Sequence, residues 1–163
     1  MTEIGVISDT HGNVEGVQRA VANLRLRRVS RVIHCGDVGP RVVELLSDFQ
    51  TDLVPGNVDD LYDLRAEIIE PHHTLHREMG SIEVEGKRIA FLHGDNARLL
   101  RQLIQSGEWD LICHGHSHTF SNTSHGRTRV LNPGALYRTS HPSLATVVLP
   151  AFDVLEVPLP PRS

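Results

Sequence analysis

EIGVISDTHGN, residues 3–13, decides the fold because it joins a buried strand directly to a polar turn. The apolar, β-branched run EIGVIS is typical of a strand, and the turn-forming residues Asp, Thr, His, Gly and Asn then end it. Residues 14–27 repeat apolar side chains at helical spacing, so a helix is predicted directly after the turn. A strand, a loop and a helix in this order indicate a parallel β-α-β unit.

Further strands and helices are predicted along the rest of the chain. Its first part alternates strands with helices, whereas 119–157 carries only short strand signals, which adds antiparallel strands to the sheet. No linker divides the chain, so we expect one α/β domain over residues 1–163. The predicted strands are 31–36, 52–57, a hairpin at 81–94 and 109–115, and the further predicted helices are 42–49 and 96–106.

The composition is that of a globular protein and argues against several functions. A formal net charge of −4 and an aromatic content of 4% do not favour stable nucleic-acid binding, which needs a basic surface or stacking rings. The first residues do not read as a secretion signal, and no apolar run is long enough to span a membrane. Cys35 and Cys113 are too few for a disulfide framework, so we expect reduced thiols and a cytoplasmic location.

Polar side chains follow five of the predicted strands, at the points where these strands end. In an open α/β sheet the carboxyl ends of the strands form the ligand crevice. Asp, Asn and His suit Mn²⁺, Fe or Zn²⁺, and a glycine beside each lets the backbone turn sharply. The sequence therefore predicts a metal site at these strand ends. The five endings are Asp9-Thr10-His11, Gly36-Asp37, Gly56-Asn57, His93-Gly94-Asp95 and His114-Gly115-His116-Ser117-His118.

The last ending places three histidines at alternate positions. On a strand, alternate side chains face the same way, so His116 and His118 would reach one region of space. A polar strand edge with ordinary surface histidines would show the same pattern. The other four endings favour metal binding over that alternative.

This ordered set resembles the calcineurin-like metallophosphoesterase superfamily, in particular its small prokaryotic phosphodiesterase branch. The pattern of the family runs D-x-H, G-D, G-N, H-G and G-H-x-H, and the late Asn132-Pro133-Gly134 matches a further element. The resemblance extends from residue 3 to about Leu136. It implies an α/β fold in which two sheets form a β-sandwich flanked by helices, with the metal site at the carboxyl ends of the strands.

The resemblance also implies two divalent ions and hydrolysis of a small phosphodiester. Mn²⁺ is expected, with Fe, Ni, Zn or Mg as alternatives. A hydroxide bridging the ions would attack phosphorus in line, without a covalent enzyme intermediate. Asp37, Asn57, His93 and Asp9 would act in catalysis. Asp9, His11 and His118 would hold one ion, Asn57, His93 and His116 would hold the other, and Asp37 would bridge both.

Position 58 departs from the family pattern. Many members have a histidine after Gly-Asn as a candidate proton donor to the leaving group, but this chain has Val58. General acid catalysis contributes about 10²- to 10⁴-fold, so we expect a preference for activated leaving groups such as nitrophenolate. Asp59 and His125 are candidate substitutes. Arg41 follows Asp37 by four residues, as an arginine does in larger relatives. The sequence favours two roles for Arg41 equally: contact with the phosphate and an ordinary position on the surface.

The remaining histidines are interpreted as structural. His34 and His114 precede ligand-bearing turns and are expected to support them by hydrogen bonds. Asp95 is expected to orient His93, with weak metal contact as the alternative. The histidines of PHHTLH have no Cys or carboxylate partner at matching spacing, so a solvated loop is expected there. They are His72, His73 and His76.

A second function fits the sequence less well. A catalytically weak or inactive scaffold of the same fold, binding a protein partner, would explain the missing histidine at position 58. Such scaffolds usually lose metal ligands, whereas all seven positions are intact here. The 73–92 segment could also offer an exposed edge for a homodimer or a higher homo-oligomer. No motif identifies the natural substrate.

Overall fold

The computed structural model describes residues 1–160. Among these residues, none of the helices combines the length and the apolar character needed to cross a bilayer. The helices are α1 (Val14–Leu26), α2 (Leu61–Ala66) and α3 (Ala97–Ser106), with a short 3₁₀ helix at Val43–Leu46. The strands are β1 (Thr2–Ile7), β2 (Arg31–His34), β3 (Gln50–Leu53), β4 (His73–Leu75), β5 (Met79–Val84), β6 (Lys87–Leu92), β7 (Leu111–Cys113), β8 (Ser121–His125), β9 (Thr128–Asn132), β10 (Ser143–Leu149) and β11 (Asp153–Pro158).

The strands form two sheets that pack face to face. The first has the order β11-β10-β1-β2-β3-β4, in which β1 to β4 are parallel. The second has the order β5-β6-β7-β9-β8, in which β6, β7 and β9 are parallel. Ile4 and Ile33 of the first sheet share a buried cluster with Phe91 and Leu111 of the second. The predicted two-sheet α/β sandwich is therefore confirmed.

Helices cover both outer faces of the sandwich. α1 packs Val17 and Leu24 into the core on the first sheet, where full burial of each aliphatic side chain contributes roughly 2 kcal/mol. Gly5 permits this contact, because a Cβ atom there would lie 2.6 Å from Cδ2 of Leu24. α3 packs Leu99 and Leu103 against the outer face of the second sheet. α1 thus covers the first sheet and α3 covers the second.

The part of the chain between β2 and β5 differs from the prediction. The helix predicted over 42–49 is reduced to the short 3₁₀ helix, and α2 and β4 are too short to show a clear period in the sequence. β4 pairs in parallel with β3, and its His73 is buried, with Nδ1 accepting the N–H of Ile69 at 3.1 Å. The solvated loop predicted for His72, His73 and His76 is therefore wrong, since only His72 of the three is exposed.

Candidate metal centre

Five loops meet at one end of the sandwich, directly after β1, β2, β3, β6 and β7. Backbone hydrogen bonds join them: the N–H of Asp9 donates to the carbonyl of Gly36 at 3.0 Å, and that of Gly115 to the carbonyl of His93 at 2.9 Å. β7 ends at Cys113, so the HGHSH stretch is a loop rather than a strand. Five of the seven predicted ligands have a left-handed backbone: Asp9 (φ 53°), His11 (φ 43°), Asp37 (φ 53°), His116 (φ 73°) and His118 (φ 63°).

The first group of predicted ligands consists of Asp9, His11 and His118. Their ligand atoms all lie within 4.8 Å of one another. Oδ1 of Asp9 is 3.3 Å from Nε2 of His118 and 3.8 Å from Nε2 of His11. Atoms that bind one ion from about 2.1 Å lie roughly 3 to 4 Å apart, so this spacing suits a shared divalent cation.

The second group consists of Asp37, His93 and His116, whose ligand atoms also lie within 4.8 Å of one another. Nε2 of His93 is 3.2 Å from Oδ2 of Asp37 and 3.3 Å from Nδ1 of His116. Oδ1 of Asn57 lies 3.0 Å from the same nitrogen. The structure thus brings the seven residues that the family resemblance implies as ligands together in two clusters, and their metal binding stays a prediction.

Asp37 lies between the two groups. Its Oδ2 atom is 3.5 Å from Nε2 of His11 and 3.2 Å from Nε2 of His93. Its other oxygen accepts the N–H of Val58 at 3.1 Å. Burial acts to raise the pKa of Asp37, but the hydrogen bonds with His93 and Val58 hold that pKa below its ordinary value. Asp37 is therefore a carboxylate at neutral pH, positioned to serve both groups.

Asp9 presents a single oxygen to the centre. Its Oδ2 atom accepts two hydrogen bonds, from the Ser8 hydroxyl at 2.7 Å and the N–H of His116 at 3.0 Å. Its Oδ1 atom is buried without a hydrogen-bond partner among the residues that the structure describes, and so is Nε2 of His11. Unpaired buried polar atoms are costly, and a cation between these two atoms would satisfy both. The residues present therefore fit a divalent metal.

A backbone carbonyl orients His93. Nδ1 of His93 lies 2.8 Å from the carbonyl oxygen of Cys35, which fixes the proton on Nδ1 and leaves the Nε2 lone pair for the second group. The prediction that Asp95 orients His93 is wrong, because the carbonyl fills that position and Asp95 is exposed. The carbonyl of Cys35, in the turn after β2, therefore orients His93, a role that the sequence analysis assigned to the side chain of Asp95.

His34 supports the loops by hydrogen bonds, as predicted. Its Nδ1 accepts the N–H of Gly36 at 3.1 Å, and its Nε2 lies 2.9 Å from Oγ1 of Thr10, which donates to the backbone. Burial lowers the pKa of His34 to about 4, so the ring is neutral at pH 7. Burial likewise lowers the pKa of His114, whose Nδ1 lies 3.2 Å from the next carbonyl oxygen.

Asp59 ties two of the loops together. Its Oδ2 atom accepts the N–H groups of Val38 at 3.0 Å and Gly56 at 2.9 Å, and its Oδ1 atom accepts the N–H of Gly39 at 3.0 Å. A carboxylate that accepts three N–H groups has no proton to donate, so the prediction of Asp59 as a substitute acid is wrong. His125 ends β8 at the opposite end of the second sheet, so it is not a substitute either.

Two glycines and one asparagine allow the loops to close. A Cβ atom at Gly56 would lie 2.0 Å from Oδ1 of Asp37, and one at Gly115 would lie 2.0 Å from the hydroxyl oxygen of Ser8. The buried Asn132 donates to the carbonyl of Gly115 at 3.1 Å and to the hydroxyl of Ser117 at 3.0 Å. The late N-P-G element therefore braces the loop that carries the last two predicted ligands.

Arg41 and Val58 both carry exposed side chains. The Arg41 side chain is 73% exposed, and its Nε atom lies 3.8 Å from Oε1 of Glu44. This contact accords with the surface alternative, and phosphate contact stays a prediction. Val58 contributes its N–H to Asp37, while its side chain is exposed hydrocarbon.

Comparison with known proteins agrees with this geometry. Residues 2–153 match the family model described as the calcineurin-like phosphoesterase superfamily domain. The phosphodiesterase MJ0936 of Methanocaldococcus jannaschii is 27% identical, over 87% of this chain and 90% of that protein. The structure of an archaeal phosphodiesterase superposes with a TM-score of 0.86 at 24% identity, over 97% of this chain and 100% of the other. The structure of Vps29 of Entamoeba histolytica in complex with Zn²⁺ superposes with a TM-score of 0.67 at 17% identity, over 96% of this chain and 99% of the other. The chain is a hydrolase that belongs to the calcineurin-like phosphoesterase superfamily.

Proposed function

We propose that the chain is a dinuclear metal-dependent phosphodiesterase, in which a hydroxide bridging two divalent ions attacks a phosphodiester in line. The shared carboxylate carries this proposal, because Oδ2 of Asp37 lies within 3.5 Å of histidine nitrogens from both groups. The unpaired Oδ1 of Asp9 supports it further. The oxygen and imidazole donors suit Mn²⁺, with Fe, Ni, Zn or Mg as alternatives.

The chain's own residues hold and orient the reacting groups. Asp9, His11 and His118 would bind one ion, Asn57, His93 and His116 would bind the other, and Asp37 would bind both. When bound, the ions would lower the pKa of a water molecule to near 7 and stabilise charge on the phosphate oxygens. Of the seven, Asp9, Asp37, Asn57 and His93 are the residues that we assign to catalysis.

The charge of the centre favours an anionic substrate. Two carboxylates against two divalent cations leave net positive charge, which attracts a phosphate ester. A diester rather than a monoester is supported by the phosphodiesterase name of the relative from Methanocaldococcus jannaschii. We expect a small phosphodiester as substrate and no stable nucleic-acid binding, in keeping with the net charge of −4.

Hydrolysis of bis(p-nitrophenyl) phosphate and of p-nitrophenyl phosphate tests the proposal. The chain is stripped of metal and then given Mn²⁺. We expect Mn²⁺-dependent turnover of the diester at a higher kcat/KM than of the monoester, and two bound ions per chain. Asp37→Asn keeps the shape of the side chain and removes its charge, so we expect at least 10²-fold lower turnover with less metal bound.

Asp60→Asn is the matched control. Asp60 is exposed, and it caps α2 by accepting the N–H of Asp63, a role that asparagine also fills. This variant should keep wild-type turnover and metal content. A wild-type chain with two bound ions and no turnover, or an Asp37→Asn variant with both properties intact, would overturn the proposal.

The second candidate function is a scaffold that binds a protein partner without catalysis. Val58 favours it, because its exposed side chain has no proton to donate beside the centre. The likeness to Vps29 concerns the fold alone. The complete set of seven ligands favours the enzyme, since a scaffold has no need of a carboxylate shared between two metal groups. Turnover of the diester decides between the two.

A cytoplasmic location and self-association complete the proposal. Both cysteines are free and buried, which suits a reducing compartment. β5 lies at an edge of the second sheet and β4 at an edge of the first, so the 73–92 segment carries strand edges that could pair two copies in a homodimer or a higher homo-oligomer. The mass of the chain in solution tests this part.

A further inference from the structure

A histidine and a carboxylate are paired outside the metal centre. Nε2 of His76 lies 2.9 Å from Oδ1 of Asp52, which is buried at 3% exposure. The other oxygen of Asp52 accepts hydrogen bonds from the Nε and Nη2 atoms of Arg31, at 3.1 and 3.0 Å. Asp52 thus has a guanidinium on one oxygen and an imidazole N–H on the other. This pairing fixes Nε2 of His76 as a donor and leaves Nδ1 without a partner among residues 1–160.

The ring of His76 is held in place on its remaining sides. Its backbone N–H donates to the carbonyl of Leu53 at 2.8 Å. Its ring meets that of Phe91 edge-on, with centroids 5.0 Å apart and an interplanar angle of 86°. A Cβ atom at Gly80 would lie 2.6 Å from Cγ of His76, so the ring packs directly on the backbone of β5. An imidazole fixed in this way is preorganised for proton transfer.

His76 lines a cleft of about 450 Å³ beside the metal centre. Gly56 and Asp95 also line this cleft, and they lie one residue before Asn57 and two residues after His93. The cleft therefore borders the loops that carry Asn57 and His93 of the second group. Leu61, exposed to 49%, adds an apolar wall.

We propose that this cleft receives the leaving group of the phosphodiester and that His76 donates the proton to it, in place of the side-chain donor missing at position 58. The proposal rests on the phosphodiesterase function. As the P–O bond breaks, its electron pair goes to the leaving oxygen, which takes the proton from Nδ1 of the imidazolium. Water supplies the new oxygen on phosphorus. His76 is left neutral with its Nε2–H on Asp52, and solvent returns the proton.

Charged groups on several elements face His76 and the cleft. Two of them, Arg65 and Arg77, form no ion pair with any residue of the described range 1–160 and so favour anionic ligands. The full set is Asp52 on β3 with Arg31 of β2 behind it, Arg65 on α2, Arg77 and Glu78 on the segment of His76 itself, and Asp95 after β6.

The test compares two diesters that differ in the basicity of the leaving group. Nitrophenolate leaves bis(p-nitrophenyl) phosphate without a proton, whereas the phenolate of diphenyl phosphate needs one. In the Mn²⁺-loaded full chain, we expect His76→Gln to keep turnover of the nitrophenyl ester within about threefold and to lower that of the phenyl ester about 10²-fold. Glutamine retains an N–H for Asp52, which preserves the packing. His72→Gln, at an exposed neighbouring histidine, should change neither rate.

Two further measurements, a pH profile of turnover and an NMR spectrum, distinguish proton donation by His76 from a purely structural role. Turnover of diphenyl phosphate should fall at alkaline pH in the wild type, and this limb should vanish in His76→Gln. In the Mg²⁺-loaded protein, the ¹⁵N resonance of Nδ1 of His76 should shift when the product phenyl phosphate is added, while Nε2 stays protonated.

The outcomes separate this role from the phosphodiesterase function. A wild type that hydrolyses the nitrophenyl ester but not the phenyl ester has no proton donor at work, which overturns the role of His76 alone. His76→Gln that slows both esters equally, or neither, also overturns it and leaves the phosphodiesterase standing. A wild type that hydrolyses no diester overturns both.

Discussion

The hydroxyl of Ser8 donates a 2.7 Å hydrogen bond to Oδ2 of Asp9. Because the N–H of His116 donates to the same oxygen, the carboxylate cannot rotate freely, and Oδ1 is the atom that faces His11 and His118. Ser8 is fully buried at the end of β1. The orientation of a predicted ligand therefore depends on its neighbour in the sequence.

Ser8→Ala should weaken metal binding without unfolding the chain. Removal of a hydrogen bond that orients a ligand typically lowers metal affinity by about 10- to 100-fold. Mn²⁺ affinity measured by competition with a chelator checks this expectation. Ser124→Ala, on the exposed strand β8, is the control and should keep the wild-type affinity. Equal affinities in the two variants would contradict the role of Ser8.

Asp59→Asn should destabilise the fold and loosen the centre. The carboxylate accepts three backbone N–H groups, and the amide replaces one acceptor oxygen by a donor that faces them. Bonds to charged groups contribute about 1.5 to 3 kcal/mol each and are not additive, so we expect a loss of about 3 kcal/mol in the free energy of unfolding. Urea unfolding measures it. Asp60→Asn serves again as control, and a loss as small in Asp59→Asn as in that variant would refute the prediction.

Gly56→Ala should abolish metal binding at the second group. The added methyl carbon would lie 2.0 Å from Oδ1 and 2.3 Å from the backbone nitrogen of Asp37, so the loop must move. Gly86→Ala is the control. Gly86 has a φ of 73°, and a Cβ atom added there would contact no other atom, so alanine costs only the backbone strain of roughly 1 kcal/mol. We expect at least 10²-fold weaker Mn²⁺ binding for Gly56→Ala and unchanged binding for Gly86→Ala. Calorimetric titration measures the Mn²⁺ affinity of both variants. Wild-type affinity in Gly56→Ala, or an equal loss in Gly86→Ala, would contradict the prediction.

Mild acid should destabilise the metal-free chain through His34. Burial depresses its folded-state pKa to about 4, below the reference value of 6.5. The stability that depends on a neutral His34 is therefore complete above pH 6.5 and is lost as the pH falls toward 4. At pH 5 the loss from this residue is on the order of 2 kcal/mol. Urea unfolding at pH 7 and pH 5 measures the loss, and an NMR titration assigns it to His34. An imidazole that titrates near 6.5 would show that the ring is not held neutral.

Local signals made most of the fold predictable. The run before Asp9 and the helix that begins at Val14 depend on short stretches of apolar residues, whose period identifies the element. The turn after each strand was equally visible, because Asp, Asn, His and Gly cluster there. The division of these residues into two clusters was not visible in local patterns, because each cluster combines loops from both sheets, and only the resemblance to a family implied it.

Contacts across the chain were not predictable in the same way. The bonds that Asp59 accepts from Val38 and Gly39, and the contact between His76 and Asp52, join residues that lie 20 or more positions apart. β4 has three residues and no visible period, so His73 and His76 read as solvent-exposed. The orienting acceptor for His93 is a backbone carbonyl, which every residue type offers and no sequence pattern marks.

The left-handed backbone at five of the predicted ligands has a consequence for mutational scanning. Asp, Asn and His adopt this conformation more readily than other residues with a side chain, so coordination chemistry and backbone chemistry select the same residue types at these positions. An alanine scan here would remove a donor atom and introduce a conformational penalty in one step. Asparagine at Asp9 or Asp37 changes the charge and keeps the backbone preference. Glycine at the same positions removes the donor and relieves the backbone, so it could stabilise the metal-free chain while it disables metal binding.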